Sequence, residues 1–539
     1  MTDAAGVARK APAPSSGRPG TLSGLRLWSW AAIVLGVALR MFRPLRHSLW
    51  SDEGNSLIFA EGSLSEVVGR LAEARTSEHF QPLYFLLLQP WLRLSRSDLG
   101  VKALGIGLSI LALLAFHRCS RRLVGERAGM LSTVFFALSA FQVYYAQEVR
   151  PYALISLVTV AQLWAYSFVR AGAEEGRNRW RLAAFASING VAVFASLFQV
   201  FFLVALSLAD LALTARSSSV GSRVRDWLVR WGPSVVATAP AMAFFLLTGP
   251  SATETVVPRG LANPVEGLLY SGFGLLFGST LAPPAIELRG SGRLETLLAS
   301  WPALALAGIA GAGLLWAVVR RWRPSGWKQP VPGRETAASI LTLATALGFV
   351  LFLVFAWLNG VQWLPRHSAF ASPLLALVVG FHLSELGFSS HRREKALGGT
   401  VLACLVLANV WSLERYYFDD RYLKDDYRAV GRLLANDPPI PALMVWGNVR
   451  LLQRYGGSGV WGFRDLAPQH TAEELRRQVG PGDEAFLVVN RPYYWTDRPV
   501  EELVPGYDVT ERIDMPGFRI FRLRGTDPPS GERPTSDAR

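Results

Sequence analysis

The sequence predicts a mainly α-helical bundle that crosses a membrane about eleven times, followed by a small α/β domain outside the cytoplasm. Half of the 539 residues are hydrophobic and only 18% are charged, a composition too apolar for an ordinary soluble enzyme. Apolar runs close to the roughly 20 residues that a bilayer requires recur along the chain. Arg and Lys residues are concentrated in alternate connections between these runs, which is typical of cytoplasmic loops.

The formal net charge of +14 follows this topology and does not indicate a nucleic-acid surface. Residues 415–539 carry 18 basic and 19 acidic side chains, which leaves 37 basic and 22 acidic side chains for the rest of the chain. This excess lies in the loops between apolar runs, where the positive-inside rule places it. We therefore expect the lipid bilayer as a partner and no nucleic acid. Only 2 Cys occur, so we expect no disulfide scaffold.

The N-terminal residues 1–24 are rich in Ala, Pro, Ser and Gly and contain no apolar run, which predicts a disordered cytoplasmic tail. Leu25–Phe42 is long enough to cross the bilayer and leads into a polar stretch instead of a small-residue cleavage site. We interpret it as the first span, with the N-terminus inside. The further spans are expected at Leu99–Phe116, Gly129–Tyr145, Tyr152–Val169, Leu182–Leu197, Val200–Ala215, Pro233–Leu247, Leu297–Val319, Ala337–Trp357, Phe370–Leu386 and Leu397–Leu413.

Basic residues mark one side of this bundle, which we assign to the cytoplasm. They cluster within 118–127, 177–181, 223–230, 320–328 and 392–395. Counting the apolar segment Phe80–Leu94 as a crossing would place the first cluster outside. We therefore expect that segment to lie in the membrane interface or to enter and leave on one side, and its Trp91 and Arg93 suit an interfacial position.

The chain beyond the last span is expected to form a small extracytoplasmic α/β domain at 415–526, because an odd number of spans leaves it outside. The transmembrane domain then covers 25–414 with an outer first loop at 43–97, and residues 527–539 are expected to be disordered. The strand-like runs of the C-terminal domain are Ala442–Trp446, Ala485–Asn490 and Phe518–Leu523, and its helix-like stretches are Tyr427–Ala435 and Ala472–Val479. We expect a multi-pass protein of a bacterial cytoplasmic (inner) membrane, with this domain in the periplasm or at the cell exterior.

Two acidic residues, Asp52 and Glu53, follow the first span near the outer face, with Trp50 before them and Glu78 and His79 later in the same loop. An Asp walled by apolar helices can act as a general base towards a hydroxyl or an amine. The alternative is a solvated acidic loop that leaves the bilayer. Position alone does not decide between them.

A polar turn between two outward-ending spans covers Tyr144–Tyr152 and contains Tyr145, Gln147, Glu148 and Arg150. A carboxylate and a guanidinium are costly at this depth unless they are paired or used. In the functional interpretation, Arg150 presents its donors to a phosphate and the tyrosines line the site. In the structural interpretation, Glu148 and Arg150 pair with each other.

Two further polar stretches border the spans. The WLPRH stretch at 363–367 supplies Arg366 at an outer edge, where an Arg next to a Trp often only anchors a helix end. The KDDYR stretch at 424–428 follows the last span, and its pattern favours a helix start with an acidic first turn.

Several motifs are missing from the sequence. It contains no GxxxxGK[ST] phosphate loop, which excludes an ATP-driven transporter with its own motor in this chain. It contains no HExxH motif and no paired CxxC motif, and its 7 His are scattered, so we expect no metal site and no cofactor. Glu53 or Glu78 could hold a divalent cation, but two carboxylates without a His or a defined loop are weak support for one.

Several of these motifs together resemble one protein family. They are Asp52-Glu53, PLYFLLLQPWLRL at 82–94, YYAQEVRPY at 144–152, PRHSAFASPLLAL at 365–377 and KDDYRAVGRLL at 424–434. The combination resembles the GT-C superfamily of membrane glycosyltransferases. Within it, the combination resembles the glycosyltransferase family 39 group, which includes protein O-mannosyltransferases and the lipid A aminoarabinose transferase. The motifs occur in the family's order from the first span to about Leu434.

The resemblance implies a polyprenyl-phosphate sugar donor and transfer to a lipid, polysaccharide or protein acceptor at the outer face, without a nucleotide sugar. It implies that Asp52 is the catalytic base, with Glu53 its neighbour in the motif, and that Arg150 and Arg366 hold the departing polyprenyl phosphate. The full set of implied substrate-binding residues is Glu78, His79, Tyr145, Gln147, Glu148, Arg150, Arg366 and His367.

Two stretches depart from the family pattern. Many relatives have His-Pro-Pro where this chain has Phe80-Gln81-Pro82, so either Glu78 or His79 takes the acceptor-facing role or the role is absent. The Arg366 motif continues with His367, where Tyr is commoner. Both departures leave the identity of the substrates open.

Two other classes of function stay open. A transporter or flippase for lipid-linked sugars would use the same Arg residues for binding only, although the two halves show no matched pair of interrupted spans. An inactive scaffold would bind cell-wall polymer through its outer domain. Dispensability of Asp52 would favour either alternative over a glycosyltransferase.

Overall fold

The computed structural model describes residues 19–74, 76–171, 179–214, 219–248, 263–284, 287, 293–322, 334–359, 363–436, 440–456, 459–463, 470–492 and 498–526. Most of the predicted N-terminal tail, residues 1–18, and the predicted tail 527–539 lie outside the described residues. The first helix begins at Pro19, inside the predicted tail. Proline suits the first position of a helix, because its φ is already helical and no intrahelical N–H bond is lost there.

The described part of the chain is mainly helical. Its first half contains α1 (Pro19–Met41), α2 (Ser51–Ala60), α3 (Leu64–Glu73), α4 (Pro82–Leu94), α5 (Asp98–Val124), α6 (Glu126–Leu138), α7 (Ala140–Ala146), α8 (Tyr152–Ala171), α9 (Arg179–Ala195), α10 (Gln199–Thr214) and α11 (Val220–Thr248). Its second half contains α12 (Pro264–Phe277), α13 (Arg293–Ala299), α14 (Trp301–Arg321), α15 (Arg334–Asn359), α16 (Ala371–Gly387), α17 (Arg392–Phe418), α18 (Tyr427–Asn436), α19 (Val449–Arg454), α20 (Thr471–Arg476) and α21 (Val500–Leu503). Short 3-10 helices lie at Ser77–Phe80, Ser279–Leu281, Pro365–Ser368 and Asp420–Tyr422.

Among the described residues, seven helices are long and apolar enough to cross a membrane: α1, α5, α8, α11, α14, α15 and α17. An eighth candidate is the pair α6 and α7, which is bent by 50°. At this bend, the guanidinium of Arg40 donates hydrogen bonds to the carbonyl oxygens of Phe136 (3.3 Å) and Ala137 (2.9 Å). These bonds satisfy backbone groups beside the break in the helix.

Each predicted span coincides with one helix, except that Gly129–Tyr145 covers the bent pair α6 and α7, and Leu297–Val319 begins in α13 and continues through α14. Beyond the eight candidates, α10 and α16 contain shorter apolar helices, and α9 has 17 residues. Within the segment Phe80–Leu94, residues Pro82–Leu94 form the 13-residue helix α4, which packs against α2, α3, α5 and α9. The length of α4, roughly 20 Å, is too short to cross the roughly 30 Å of a hydrocarbon core. The predicted fold class is thus confirmed, the number of spans stays a prediction, and α12 has no counterpart among the predicted spans.

The C-terminal part of the chain forms a five-stranded sheet. Its strands are β1 (Ala442–Val445), β2 (Val460–Phe463), β3 (Glu484–Asn490), β4 (Tyr507–Met515) and β5 (Phe518–Gly525). They lie in the order β2-β1-β3-β5-β4. β1 is parallel to β2 and β3, whereas β5 is antiparallel to β3 and β4. The predicted strand-like runs correspond to β1, β3 and β5.

One face of this sheet shares a hydrophobic core with the helices that follow α1. Met444, Phe486 and Ile520 belong to the same buried cluster as Tyr84 and Leu88 of α4. Because side chains alternate between the two faces of a strand, their neighbours point to a second core on the other face, under α20 and α21. The sheet is therefore joined to α2–α4 through one shared core, in which α19 contacts α2, and this arrangement brings the segment after α17 next to the start of α2.

Candidate active site

A cluster of ionisable side chains forms where five segments of the chain meet. Its members are Asp52 and Glu53 in the first turn of α2, Glu78 on the 3-10 helix Ser77–Phe80, Glu148 and Arg150 between α7 and α8, Arg366 on the 3-10 helix Pro365–Ser368, and Lys424 after α17. The sequence predicted all of these residues except Lys424 as site residues.

Asp52 contacts both arginines of the cluster. Its Oδ2 accepts a hydrogen bond of 3.2 Å from Nη1 of Arg366, and its backbone carbonyl accepts one of 3.2 Å from Nη1 of Arg150. The Asp52 and Arg366 side chains are 25% and 29% exposed, so a substrate can reach the pair. An acidic residue in the first turn of a helix is also favoured by the helix dipole.

Glu53 holds two backbone segments together. Its side chain is fully buried, with Oε1 accepting a hydrogen bond from the N–H of Val149 (2.7 Å) and Oε2 accepting one from the N–H of Trp50 (3.2 Å). The first contact fixes the turn that carries Arg150, and the second fixes the start of α2. A catalytic part for Glu53 stays a prediction.

Arg150 forms a buried ion pair with Glu78. Its Nη1 lies 2.7 Å from Oε1 of Glu78 and 3.2 Å from Oγ of Ser56, and the two charged side chains are 3% and 6% exposed. The Nε of Arg150 is buried without a hydrogen-bond partner, and Nη2 forms no hydrogen bond to another described residue. Nε and Nη2 form the side-on edge of this guanidinium, and their N–H groups together can bind two oxygens of one anion. This side-on edge forms no hydrogen bond to the described protein.

The charge of Arg150 also controls the ionisation of Glu78. Burial alone would raise the pKa of Glu78, but the nearby charge of Arg150 and its hydrogen bond outweigh burial and bring this pKa below its ordinary value. Glu78 is therefore ionised at neutral pH, and it orients Arg150 through a charge-assisted hydrogen bond.

Glu148 is paired with Lys424. Its Oε1 lies 2.7 Å from Nζ of Lys424, and the two side chains are 2% and 8% exposed. The structural interpretation in which Glu148 and Arg150 pair with each other is therefore wrong, since each has a partner from a distant segment. The predicted helix start at 424–428 is confirmed, because α18 begins at Tyr427 and Asp426 accepts a hydrogen bond of 3.1 Å from the N–H of Ala429. The predicted acidic first turn is wrong, since the acidic residues precede the helix.

Gln147 and Tyr145 shape the turn around these charges. The side-chain amide of Gln147 donates to the carbonyl of Phe42 (2.8 Å), and its oxygen accepts from the hydroxyl of Tyr416 (3.0 Å). These contacts tie the turn to the segments that end α1 and α17. The Tyr145 ring lies 4.6 Å from the ring of Tyr152, centre to centre, and helps to build the apolar wall of the turn.

The two predicted histidines lie in aromatic surroundings. His79 is fully buried, its ring is stacked on Phe244 at 5.3 Å, and its Nδ1 lies 2.7 Å from the carbonyl oxygen of Leu71. The His367 ring lies 5.9 Å from the Phe198 ring. A substrate contact for either histidine stays a prediction. In the part of the chain that the structure describes, no three His, Cys, Asp or Glu side chains are grouped so as to hold a metal ion.

Solved structures of other proteins share this architecture. The oligosaccharyltransferase of Archaeoglobus fulgidus, in complex with Zn and sulfate, matches 93% of this chain and 73% of its own length with a TM-score of 0.50 and 12% identity. The archaeal oligosaccharyltransferase AglB from the same organism, in complex with an inhibitory peptide and a dolichol-phosphate, matches 95% and 76% with a TM-score of 0.50 and 11% identity. The chain has the GT-C fold.

Other comparisons add less. ArnT from Cupriavidus metallidurans, bound to undecaprenyl phosphate, matches 93% of this chain and 98% of its own length with a TM-score of 0.42 and 14% identity. No protein-family model and no curated protein sequence matches the chain. The two Archaeoglobus fulgidus structures confirm, for the fold, the resemblance that the motifs indicated.

Proposed function

We propose that this GT-C protein is a membrane glycosyltransferase that takes its sugar from a polyprenyl-phosphate donor. The observation that carries the proposal is the unused side-on edge of the buried Arg150, next to a partly accessible Asp52. A buried guanidinium whose Nε has no partner is costly unless an anion completes it. An archaeal protein of the same fold is known in complex with a dolichol-phosphate, which supports a lipid-linked phosphate as that anion.

In the proposed reaction, the bond between the anomeric carbon and the phosphate oxygen breaks, and negative charge develops on the phosphate. Arg150 and Arg366 stabilise this charge, because fixed guanidinium donors in a poorly hydrated site do so better than water. Arg366 uses Nη1 on Asp52, and its other nitrogens form no hydrogen bond to a described residue. The two arginines thus both contact Asp52, Arg366 at its carboxylate and Arg150 at its backbone carbonyl.

Asp52 is the general base of this proposal. It takes the proton of the acceptor's hydroxyl or amine while that atom attacks the anomeric carbon. A direct displacement on the face opposite the phosphate inverts the configuration of that carbon. NMR of the product linkage tests this stereochemistry, since a retained anomeric configuration would contradict a single displacement with Asp52 as base.

The proposed orientation puts the site on the outer side of a bacterial cytoplasmic membrane, with the N-terminus in the cytoplasm and the C-terminal sheet in the periplasm or outside the cell. The basic connections between spans support it through the positive-inside rule. The acceptor is a lipid, polysaccharide or protein that reaches the site from this side.

The test compares the purified wild type with Asp52→Asn in liposomes that contain a panel of polyprenyl-phosphate sugars and a membrane extract as the source of acceptors. We expect the wild type to release free polyprenyl phosphate from one donor, and Asp52→Asn to lower the rate about 10²- to 10⁴-fold. Asp420→Asn is the matched control, because the Asp420 carboxylate is 82% exposed and pairs only at the surface with Arg46 (3.0 Å). No release from any donor by the wild type would instead favour a transporter or a binding protein for lipid-linked sugars.

A further inference from the structure

Lys424, in the segment after α17, brings a buried positive charge to the site. It follows the last span, yet its ammonium group lies 2.7 Å from Glu148 of the turn between α7 and α8. The same Nζ lies 4.7 Å from the ring centre of Tyr144 and 5.6 Å from that of Trp50. Aromatic faces favour a cation at these distances but carry no net charge, so Glu148 is the anion that Lys424 neutralises.

Glu148 stands directly before the residues that assemble the site. Val149 donates its N–H to the buried carboxylate of Glu53, and Arg150 comes next. Glu53 and Glu148 are both buried, and two buried carboxylates in one site repel each other unless a cation compensates them. Burial and the charge of Glu53 raise the pKa of Glu148, whereas the charge of Lys424 opposes this rise.

We infer that Lys424 is a positioning residue for the proposed transfer. By neutralising Glu148 next to Glu53, it keeps the turn and the first turn of α2 in contact, and so holds Arg150 against the backbone of Asp52. This inference rests on the proposed function. If Lys424 has this role, the site is complete only when the segment after α17 is packed against the membrane domain.

Other contacts seat the same segment without reaching the charged cluster. Oγ of Ser48 donates a hydrogen bond of 2.9 Å to the carbonyl of Asp425, and Arg46 pairs with Asp420 at 3.0 Å. If Lys424 only docked the segment, its bond to Glu148 would be one more contact of this kind. Docking and charge neutralisation predict different activities when the charge of Glu148 is removed together with that of Lys424.

The experiment is a double-mutant cycle with Lys424→Met, Glu148→Gln and the double variant, measured as release of polyprenyl phosphate from the donor that the wild type uses. We expect Lys424→Met to lower kcat about 30-fold or more, because it leaves Glu148 buried without its cation. The double variant should recover at least about tenfold of this loss, since the uncompensated charge is gone. Lys424→Arg, which keeps the charge, should stay within about tenfold of the wild type.

A double variant no better than Lys424→Met would overturn the inference, because a lost docking contact is not restored by changing Glu148. Wild-type kcat in Lys424→Met would overturn it too. Melting temperatures of all variants, compared with that of the wild type, separate a misplaced site from an unfolded chain. Binding of undecaprenyl phosphate to the wild type in nanodiscs keeps the two claims distinguishable. A wild type that neither binds it nor turns over any donor overturns the proposed function and this inference together, whereas an active wild type without recovery overturns the inference alone.

Discussion

Replacing Arg150 by lysine tests whether the unused edge of the guanidinium binds a phosphate. A lysine keeps the positive charge and can still meet Glu78, but its single nitrogen offers no side-on pair of donors. A hydrogen bond to a charged group contributes about 1.5–3 kcal/mol. The Nε and Nη2 contacts to a phosphate together then amount to roughly 3–6 kcal/mol, which corresponds to about 10²- to 10⁴-fold in kcat/KM at about 1.36 kcal/mol per factor of ten.

The assay for Arg150→Lys is the release of free polyprenyl phosphate at several donor concentrations, with equal amounts of folded protein. Arg421→Lys is the matched control, because the Arg421 side chain is 61% exposed and pairs with Asp419 at 2.7 Å. We expect the control to stay within about twofold of the wild type, as is usual for an exposed ion pair. A decrease of less than about fivefold in Arg150→Lys would refute the assignment of this edge to the donor phosphate.

Three further changes test the contacts around the site and in the bundle. The carboxylate of Glu53 accepts hydrogen bonds from two backbone N–H groups, and Glu53→Gln turns an amide NH₂ towards one of them, at a cost of about 1–3 kcal/mol in stability. Tm and activity should therefore fall together. An unchanged Tm would contradict the structural role of Glu53 in holding the two backbone segments together. Burial raises the pKa of Glu78, but the charge of Arg150 and the hydrogen bonds to the carboxylate together lower it below its ordinary 4.5, so the pair stabilises the fold above about pH 4.5 and this contribution is lost as the pH falls further. Tm should therefore fall less on acidification in Glu78→Gln than in the wild type. Asp210 is fully buried and accepts hydrogen bonds from side chains of α8 and α11, so Asp210→Asn should lower stability by up to about 3–5 kcal/mol and leave the donor KM unchanged, which a thermal melt and initial rates together can check.

The helical part of the fold was predictable because a bilayer imposes a length on each span, and long apolar runs are visible in a single sequence. α12 escaped prediction because its 14 residues include Gly267, Gly272 and Gly274 and form no run of spanning length. β4 escaped because it is an edge strand in which most side chains are exposed and four of the nine are charged, and this blurs the alternation that identifies a strand. The formation of α12 and β4 depends on packing against neighbouring elements, which a local sequence pattern does not show.

The pairing of charges in the site was the part that the sequence did not reveal. Glu148 and Arg150 are close in sequence, so a mutual pair was a natural expectation, but Arg150 pairs with Glu78, 72 positions away. Lys424 reaches Glu148 across 276 positions, which no local pattern reports. The sequence did contain one signal for a role of Lys424 away from α18. Lys424 precedes the acidic residues before the start of α18 and contributes nothing to the capping of that helix, so its charge is available for another partner.

The most direct test of the proposed phosphate site is a structure of the full chain in nanodiscs with undecaprenyl phosphate bound. We expect phosphate oxygens within about 2.7–2.9 Å of Nε and Nη2 of Arg150, with Arg366 on the same phosphate and the Asp52 carboxylate facing the space where the acceptor enters. A phosphate bound elsewhere, with the side-on edge of Arg150 still unoccupied, would contradict the proposed site.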